Sequence, residues 1–131
     1  AAGFVFLAGG IGITPIMSML RTLADRGDKR PLVLLYANPS WDDVALREEL
    51  DELAGRLDLE VVHVLEEAPD DWDGEEGMID EGVLDRHLPE REQDHEYFVC
   101  GPDPMMDAVQ EQLYARGVPG DRVNLERFDF I

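Results

Sequence analysis

The stretch Phe4-Val5-Phe6-Leu7-Ala8-Gly9-Gly10-Ile11-Gly12-Ile13-Thr14-Pro15 limits the folds open to this chain more than any other. An apolar run of strand length stops at paired glycines, and a third glycine follows. Ile16, Met17, Leu20 and Leu23 then recur at helical spacing. This predicts a strand, a tight glycine turn and a helix start, with Thr14 as the N-cap and Pro15 in the first helical position. Glycine lets the backbone take positive φ and lets a ligand approach with no Cβ in the way. A helix start offers free N–H groups and the positive end of its dipole, which together suit a phosphate. The same residues would also serve a strand-to-helix turn that needs glycine for geometry alone. The spacing is not G-x-x-x-x-G-K-[ST], which argues against a P-loop kinase or ATPase, nor is it the G-x-G-x-x-G Rossmann fingerprint.

At 131 residues the chain is read as one domain, able to bury about two-thirds of its unfolded surface. No apolar run approaches the ~18 residues of a membrane span, so direct membrane insertion is not expected. The first residues lack the pattern of a signal peptide, and a cytoplasmic location is expected. The chain opens directly on a core strand, which implies a preceding segment.

Thirty Asp and Glu stand against 11 Lys and Arg, a net charge of −19, and Lys29 is the only lysine. Such a surface repels nucleic acid and anionic lipid, which removes both as partners. Because the acids are spread along the chain, adaptation to a salty cytoplasm fits better than an acidic docking tail for a basic partner. The lone Cys100 excludes an intrachain disulfide and any Cys-based zinc or iron–sulfur site within the chain. His63, His87 and His95 lie far apart in sequence, and none falls at the carboxyl end of a predicted strand; no metal site is expected.

After a first helix over 15–26, ended by Gly27-Asp28, Pro31 to Ala37 is a continuous apolar run, as in a parallel strand covered on both faces. Asn38-Pro39-Ser40 reads as a turn, and Trp41 to Leu57 as an amphipathic helix. Leu59 to Leu65 is a third strand, and Glu66 to Gly77 a long acidic loop holding Trp72. Asp80 to His87 is a short helix with Asp80 as cap, and Tyr97 to Cys100 a fourth strand. Pro104 to Arg116 is a helix with Met105 and Met106 inward, and Arg122 to Arg127 a last strand. The alternation predicts an α/β domain: a doubly wound, five-stranded parallel sheet with helices on both faces.

In such sheets ligands bind in the crevice at the carboxyl ends of the strands. The residues gathered there are Gly9 to Thr14, Asn38 to Trp41, Leu65 to Glu67, Cys100 to Met105 and Glu126 to Phe128. No Ser/His/Asp set lies among them. The acidic pairs Glu48-Glu49, Glu66-Glu67, Asp70-Asp71 and Glu75-Glu76 read as solvated surface. Cys100 is either a small buried hydrophobe or a ligand-facing group.

Ala8-Gly-Gly-Ile-Gly-Ile-Thr-Pro15 and Cys100-Gly-Pro-Asp-Pro-Met-Met106, about 85 residues apart, resemble the pyridine-nucleotide domain of the ferredoxin–NADP reductase superfamily. Tyr36 to Leu50, and Val64-Leu65 followed by Trp72, Gly74, Gly77, Ile79 and Leu88-Pro89, are similar to cytochrome b5 reductase-like members. Leu125-Glu-Arg-Phe128 resembles the close of oxygenase and ferric reductases. The resemblance implies a dinucleotide-binding domain spanning 1–131, with an FAD-binding domain upstream. It further implies hydride transfer from NAD(P)H C4 to FAD N5, and electrons passed on to a haem, iron–sulfur or ferric acceptor domain or protein.

The implied roles run residue by residue. Gly9, Gly10, Gly12 and Thr14, with Pro15 at the helix start, would hold the pyrophosphate and position the nicotinamide ribose. Cys100 would lie near nicotinamide C4. Gly101, Pro102 and Met105 would shape the wall towards the adenosine half. Asn38 and Ser40 would meet the adenine ribose. Glu126 and Phe128 would face the flavin edge, with Phe130 the alternative to Phe128 as the stacking ring. The 38–43 segment holds no basic residue for a 2′-phosphate, which points to NADH; Ser40 leaves NADPH open. The FAD motif of the family is absent, so this chain alone is expected to be inactive. A non-catalytic dinucleotide-binding regulatory module and a plain flavodoxin-like scaffold are the other readings of the same fold.

Overall fold

The structure is a computed structural model, and residues 1–126 are described. Ten elements alternate along the chain: β1 (Phe4–Gly9), α1 (Ile13–Asp25), β2 (Leu32–Ser40), α2 (Arg47–Arg56), β3 (Leu59–Glu67), β4 (Glu75–Glu76), α3 (Glu81–His87), β5 (Glu96–Cys100), α4 (Asp103–Ala115) and β6 (Val123–Glu126). Every strand pairing is parallel, in the order β4-β3-β2-β1-β5-β6.

Strand side chains alternate between the two faces, and this splits the core in two. Phe6, Ala8, Leu34 and Tyr36 face one way and pack with Ile16, Met17 and Leu20 of α1 and Leu50 and Leu53 of α2. Val5, Leu7, Val33 and Leu35 face the other way and pack with Val83 and Leu84 of α3 and Met106, Val109 and Leu113 of α4. The central strands are covered on both sides, which is why they read as unbroken apolar runs. Burying each such side chain stabilises the fold by about 1.5–3 kcal/mol, so the α1 stripe is a major anchor of the glycine turn.

The sheet has six strands where the sequence predicts five. The addition is β4, two glutamates that pair with Val64 and Leu65 at the edge. It carries no apolar pattern because one edge of it faces solvent. Three local expectations are also corrected. Residues Asn38 to Ser40 do not turn but continue β2, with Ser40 opposite Glu67. The predicted Trp41–Leu57 helix is two pieces, a single 3-10 turn at Trp41–Asp43 and then α2; Leu46 between them adopts φ 63°. At the first helix a 3-10 turn over Gly10–Gly12 leads straight into α1, so Gly12 is the N-cap and Thr14, its side chain exposed, makes no cap. Asp80 does cap α3, its carboxylate accepting the Val83 N–H at 3.0 Å.

Candidate dinucleotide site

The order of the strands places the site. From β1 the chain winds outward through β2 and β3 to β4, then returns to lay β5 against the other side of β1. Crossovers on the two sides of β1 and β5 therefore leave on opposite faces, and a crevice opens at their carboxyl ends. Gly9-Gly10 ends one of these strands and Gly101-Pro102 follows the other. The crevice has two lobes that share Gly10, Asn38 and Pro39. One lobe, of about 260 Å³, is walled by Gly9, Gly77, Met78, Ile79, Pro102 and Met105. The other, of about 470 Å³, runs past Ile11, Thr14, Asp43 and Leu46.

The glycines do different work here. Gly10 has φ 55° and open space where a Cβ would stand, so it supplies the bend and a bare approach to the backbone. Gly12, at an ordinary helical φ, is packed against the carbonyl of Cys100 with no room for a side chain. Gly9 and Gly101 are similarly filled by the Met105 sulfur.

Charge is arranged unevenly around this turn. In a chain with 30 acidic residues, α2, α3 and α4 each carry an acid in the first turn, whereas α1 carries none. The positive end of the α1 dipole is thus left uncompensated. Beside it, Asn38 is 4% exposed and its side-chain amide nitrogen has no hydrogen-bond partner among the described residues. A buried donor of this kind costs about 1–3 kcal/mol unless something accepts from it. Both features fit an anionic, acceptor-rich ligand such as a dinucleotide.

Gly9, Gly10, Asn38, Pro102 and Met105 meet in the first lobe, and Thr14 lies in the second. Pro15 is half-buried in the first turn of α1, and Ser40 turns aside to donate its hydroxyl to the Asp43 carboxylate at 2.8 Å. Cys100 and Glu126 are register partners on β5 and β6 and share a separate recess with Met19 and Phe98. The Cys100 thiol is buried, and its pKa is pushed up to about 11, first by burial and then by the charge of Glu126. It is a neutral thiol, not a thiolate. Phe128 and Phe130 lie outside the described residues. Met78 escapes a sequence reading: it is 60% exposed, set into the crevice directly after Gly77 with φ 103°. The exposed apolar residue beside a glycine after an acidic run was its only signal.

The histidines have other occupations. His63 packs against Tyr36 and Trp41, and burial lowers its pKa. His87 contacts Glu75, and a ring nitrogen of His95 lies 2.7 Å from the Arg91 carbonyl.

Residues 6–111 match the family of the oxidoreductase NAD-binding domain. The chain belongs to that family. It is 36% identical over 119 residues to NADH-cytochrome b5 reductase 1 of Meyerozyma guilliermondii, covering 88% of this chain and 42% of that protein. Its fold is similar to the cytochrome b5 reductase domain of Ulva prolifera nitrate reductase, with a TM-score of 0.86, 27% identity, and coverage of 96% and 49%. It is also similar to the Malassezia yamatoensis flavohemoglobin with bound FAD and heme, with a TM-score of 0.83, 26% identity, and coverage of 98% and 32%. The NAD-binding domain thus spans less than half the length of these proteins. Among the described residues no helix is long and apolar enough to cross a membrane.

Proposed function

We propose that this NAD-binding domain holds NADH for a flavin in the same protein, passing hydride from nicotinamide C4 to FAD N5. Electrons then go to a haem, iron–sulfur or ferric acceptor, and the whole works in the cytoplasm. One observation carries the reading above the others: the buried, unpartnered Asn38 amide stands beside the acid-free start of α1. A plain scaffold has no use for that arrangement, since nothing would satisfy the amide.

In this reading Gly9, Gly10 and Gly12 bring the backbone N–H groups at the head of α1 to the pyrophosphate, with Thr14 and Pro15 in its first turn. Asn38 donates its amide to the ligand, and Gly101, Pro102 and Met105 form the facing wall. Cys100 would stand beside the nicotinamide as a small neutral group and Glu126 would face the flavin; the ring implied at Phe128 lies outside the described residues. FAD, when bound by its own domain, supplies the electron-accepting ring; these residues orient the nicotinamide and exclude water.

The relative from Meyerozyma guilliermondii is an NADH enzyme by name. The site here supports the same preference. Asp43, tied to Ser40, puts a carboxylate in the lining of the second lobe, unfavourable for a 2′-phosphate there, and the Arg47 guanidinium stacks 4.6 Å from the centre of the Trp41 ring. Calorimetric titration with NADH and NADPH tests the reading. Tighter binding of NADH supports it, and no binding of either dinucleotide, at low or high salt and with the flavin domain present, would overturn it.

A further inference from the structure

The wall of the crevice formed by Gly77, Met78 and Ile79 has to be held by something, and its own sequence does not explain how. The segment 66–77 that leads to it contains seven acidic residues and no basic one. Its last part holds only two residues of strand, Glu75 and Glu76, at an open sheet edge. Self-repulsion and a two-residue ladder would leave such a wall loose.

The structure shows two fixed points on either side of the wall. Ile79 is buried in the α3/α4 core. Glu75 is the other. Its carboxylate accepts from Arg86 Nε at 2.9 Å and from an Arg86 terminal nitrogen at 2.6 Å, and meets His87 Nε2 at 2.6 Å. Both partners lie in the last turn of α3, a helix held in the core by Val83 and Leu84. The backbone of the same residue is also occupied: the Glu75 carbonyl accepts the Trp72 indole N–H at 3.0 Å. Two residues on, the Gly77 N–H donates to the Leu65 carbonyl at 2.8 Å. The chain then bends at Gly77 and sets Met78 into the lobe shared with Asn38 and Gly10.

Resting on the dinucleotide reading above, we infer that Glu75 is a positioning residue: its ion pair with Arg86 and its contact with His87 fix the Gly77–Ile79 wall of the binding crevice without touching the ligand. The two-pronged contact with Arg86 is suited to this, because a forked guanidinium fixes orientation as well as distance. The neighbouring charges do not compete for the position. Glu60 of β3 approaches His87 from its other ring nitrogen at 3.7 Å, and Asp80 and Asp85 act on Arg86 only through their charge.

The test uses five forms of the full 131-residue chain: wild type, Glu75→Ala, Arg86→Ala, the double variant and Glu75→Gln as the conservative replacement. NADH affinity is measured by calorimetry, and exchange of the Gly77 and Met78 amides by NMR. We expect Glu75→Ala to weaken NADH about tenfold and to speed Gly77 exchange at least as much, while the amides of the central strands β1 and β2 stay slow to exchange. Arg86→Ala should do the same, and the double variant no more than either single one, as two residues acting through one contact must. Glu75→Gln, whose single amide oxygen can still accept from Arg86, should recover part of the affinity. Unchanged affinity in both single variants would overturn the inference, as would additive losses in the double variant. If wild type binds no NADH even with the flavin domain present, the dinucleotide reading fails, and the exchange rates alone decide whether the latch holds the wall.

Discussion

Gly12 and the Cys100 carbonyl are packed so closely that no side chain fits between the head of α1 and the end of β5. Gly10, two residues earlier, has open space around it but takes φ 55°. Replacing each with alanine should therefore fail for different reasons. Gly12→Ala forces backbone apart and should cost about 1–3 kcal/mol in urea denaturation, with loss of NADH binding. Gly10→Ala costs only the left-handed conformation, about 1–2 kcal/mol, while its methyl enters the space the ligand needs. A larger stability loss at Gly10 than at Gly12 would contradict this assignment.

The buried Cys100 thiol should resist alkylation. Its pKa is raised from 9.0 to about 11, so the reactive thiolate is scarce at neutral pH. Iodoacetamide labelling of the native chain should stay slow at pH 8 and still be rising at pH 10, whereas the urea-unfolded chain levels off near the ordinary thiol value. The sign for stability follows. Above pH 9 the unfolded thiol ionises first, so this group withdraws stability as pH climbs towards 11. Rapid, saturating labelling of the folded chain at pH 8 would refute the neutral-thiol assignment.

Glu75 sets an acid limit. The hydrogen bond from Arg86 above all, with that of His87, holds its carboxyl at about 2, against 4.5 ordinarily. A carboxyl with a depressed folded value contributes stability that is complete above about pH 4.5 and lost as pH falls towards 2. Wild type should therefore be more stable than Glu75→Gln at pH 6, and the difference should shrink steadily between pH 4.5 and 2. Parallel acid-unfolding curves would rule out this contribution.

Discrimination between the two dinucleotides is assigned to Asp43. Removing its charge in Asp43→Ser should improve NADPH binding on the order of tenfold while leaving NADH nearly unchanged. Calorimetry with both ligands reads this directly. An equal loss for both would mean that Asp43 only shapes the loop.

Salt should stabilise the chain. Lys and Arg number 11 against 30 acids, and seven arginines already stand in ion pairs among the described residues, so repulsion among the acids dominates the surface. Their mutual repulsion is screened as the Debye length falls to about 3 Å at molar salt. The melting temperature should climb by several degrees between low and molar KCl. A flat curve would return attention to an acidic face that docks a basic partner.

Much of the fold was legible because burial on both faces writes itself as unbroken apolar runs, as in Phe4–Ala8 and Leu32–Tyr36. The glycine turn and Asp80 cap were legible for a local reason, since φ and capping choose particular residues. What escaped was decided by neighbours distant in sequence. Glu75-Glu76 is a strand only because β3 offers an edge, and Ser40 stays extended because Glu67 lies opposite it. The Trp41–Leu57 pattern was helical throughout, yet Leu46 at φ 63° interrupts it. Of the crevice lining, Gly9, Gly10 and Asn38 could be named from the sequence. Met78 and the Glu75–Arg86 pair could not, because their roles depend on a tertiary contact between an acidic loop and α3.

The contact between Trp41 and Trp72, with ring centroids 5.3 Å apart, joins the segment after β2 to the acidic loop after β3. These are the chain's only two tryptophans. Their indole transitions are close enough to couple, so the near-ultraviolet circular dichroism of the unlabelled protein registers the separation of two loops beside one crevice. Reduced nicotinamide absorbs where indole emits, so quenching of the same pair would register the ligand. The protein carries its own optical ruler at the place where its binding chemistry is concentrated.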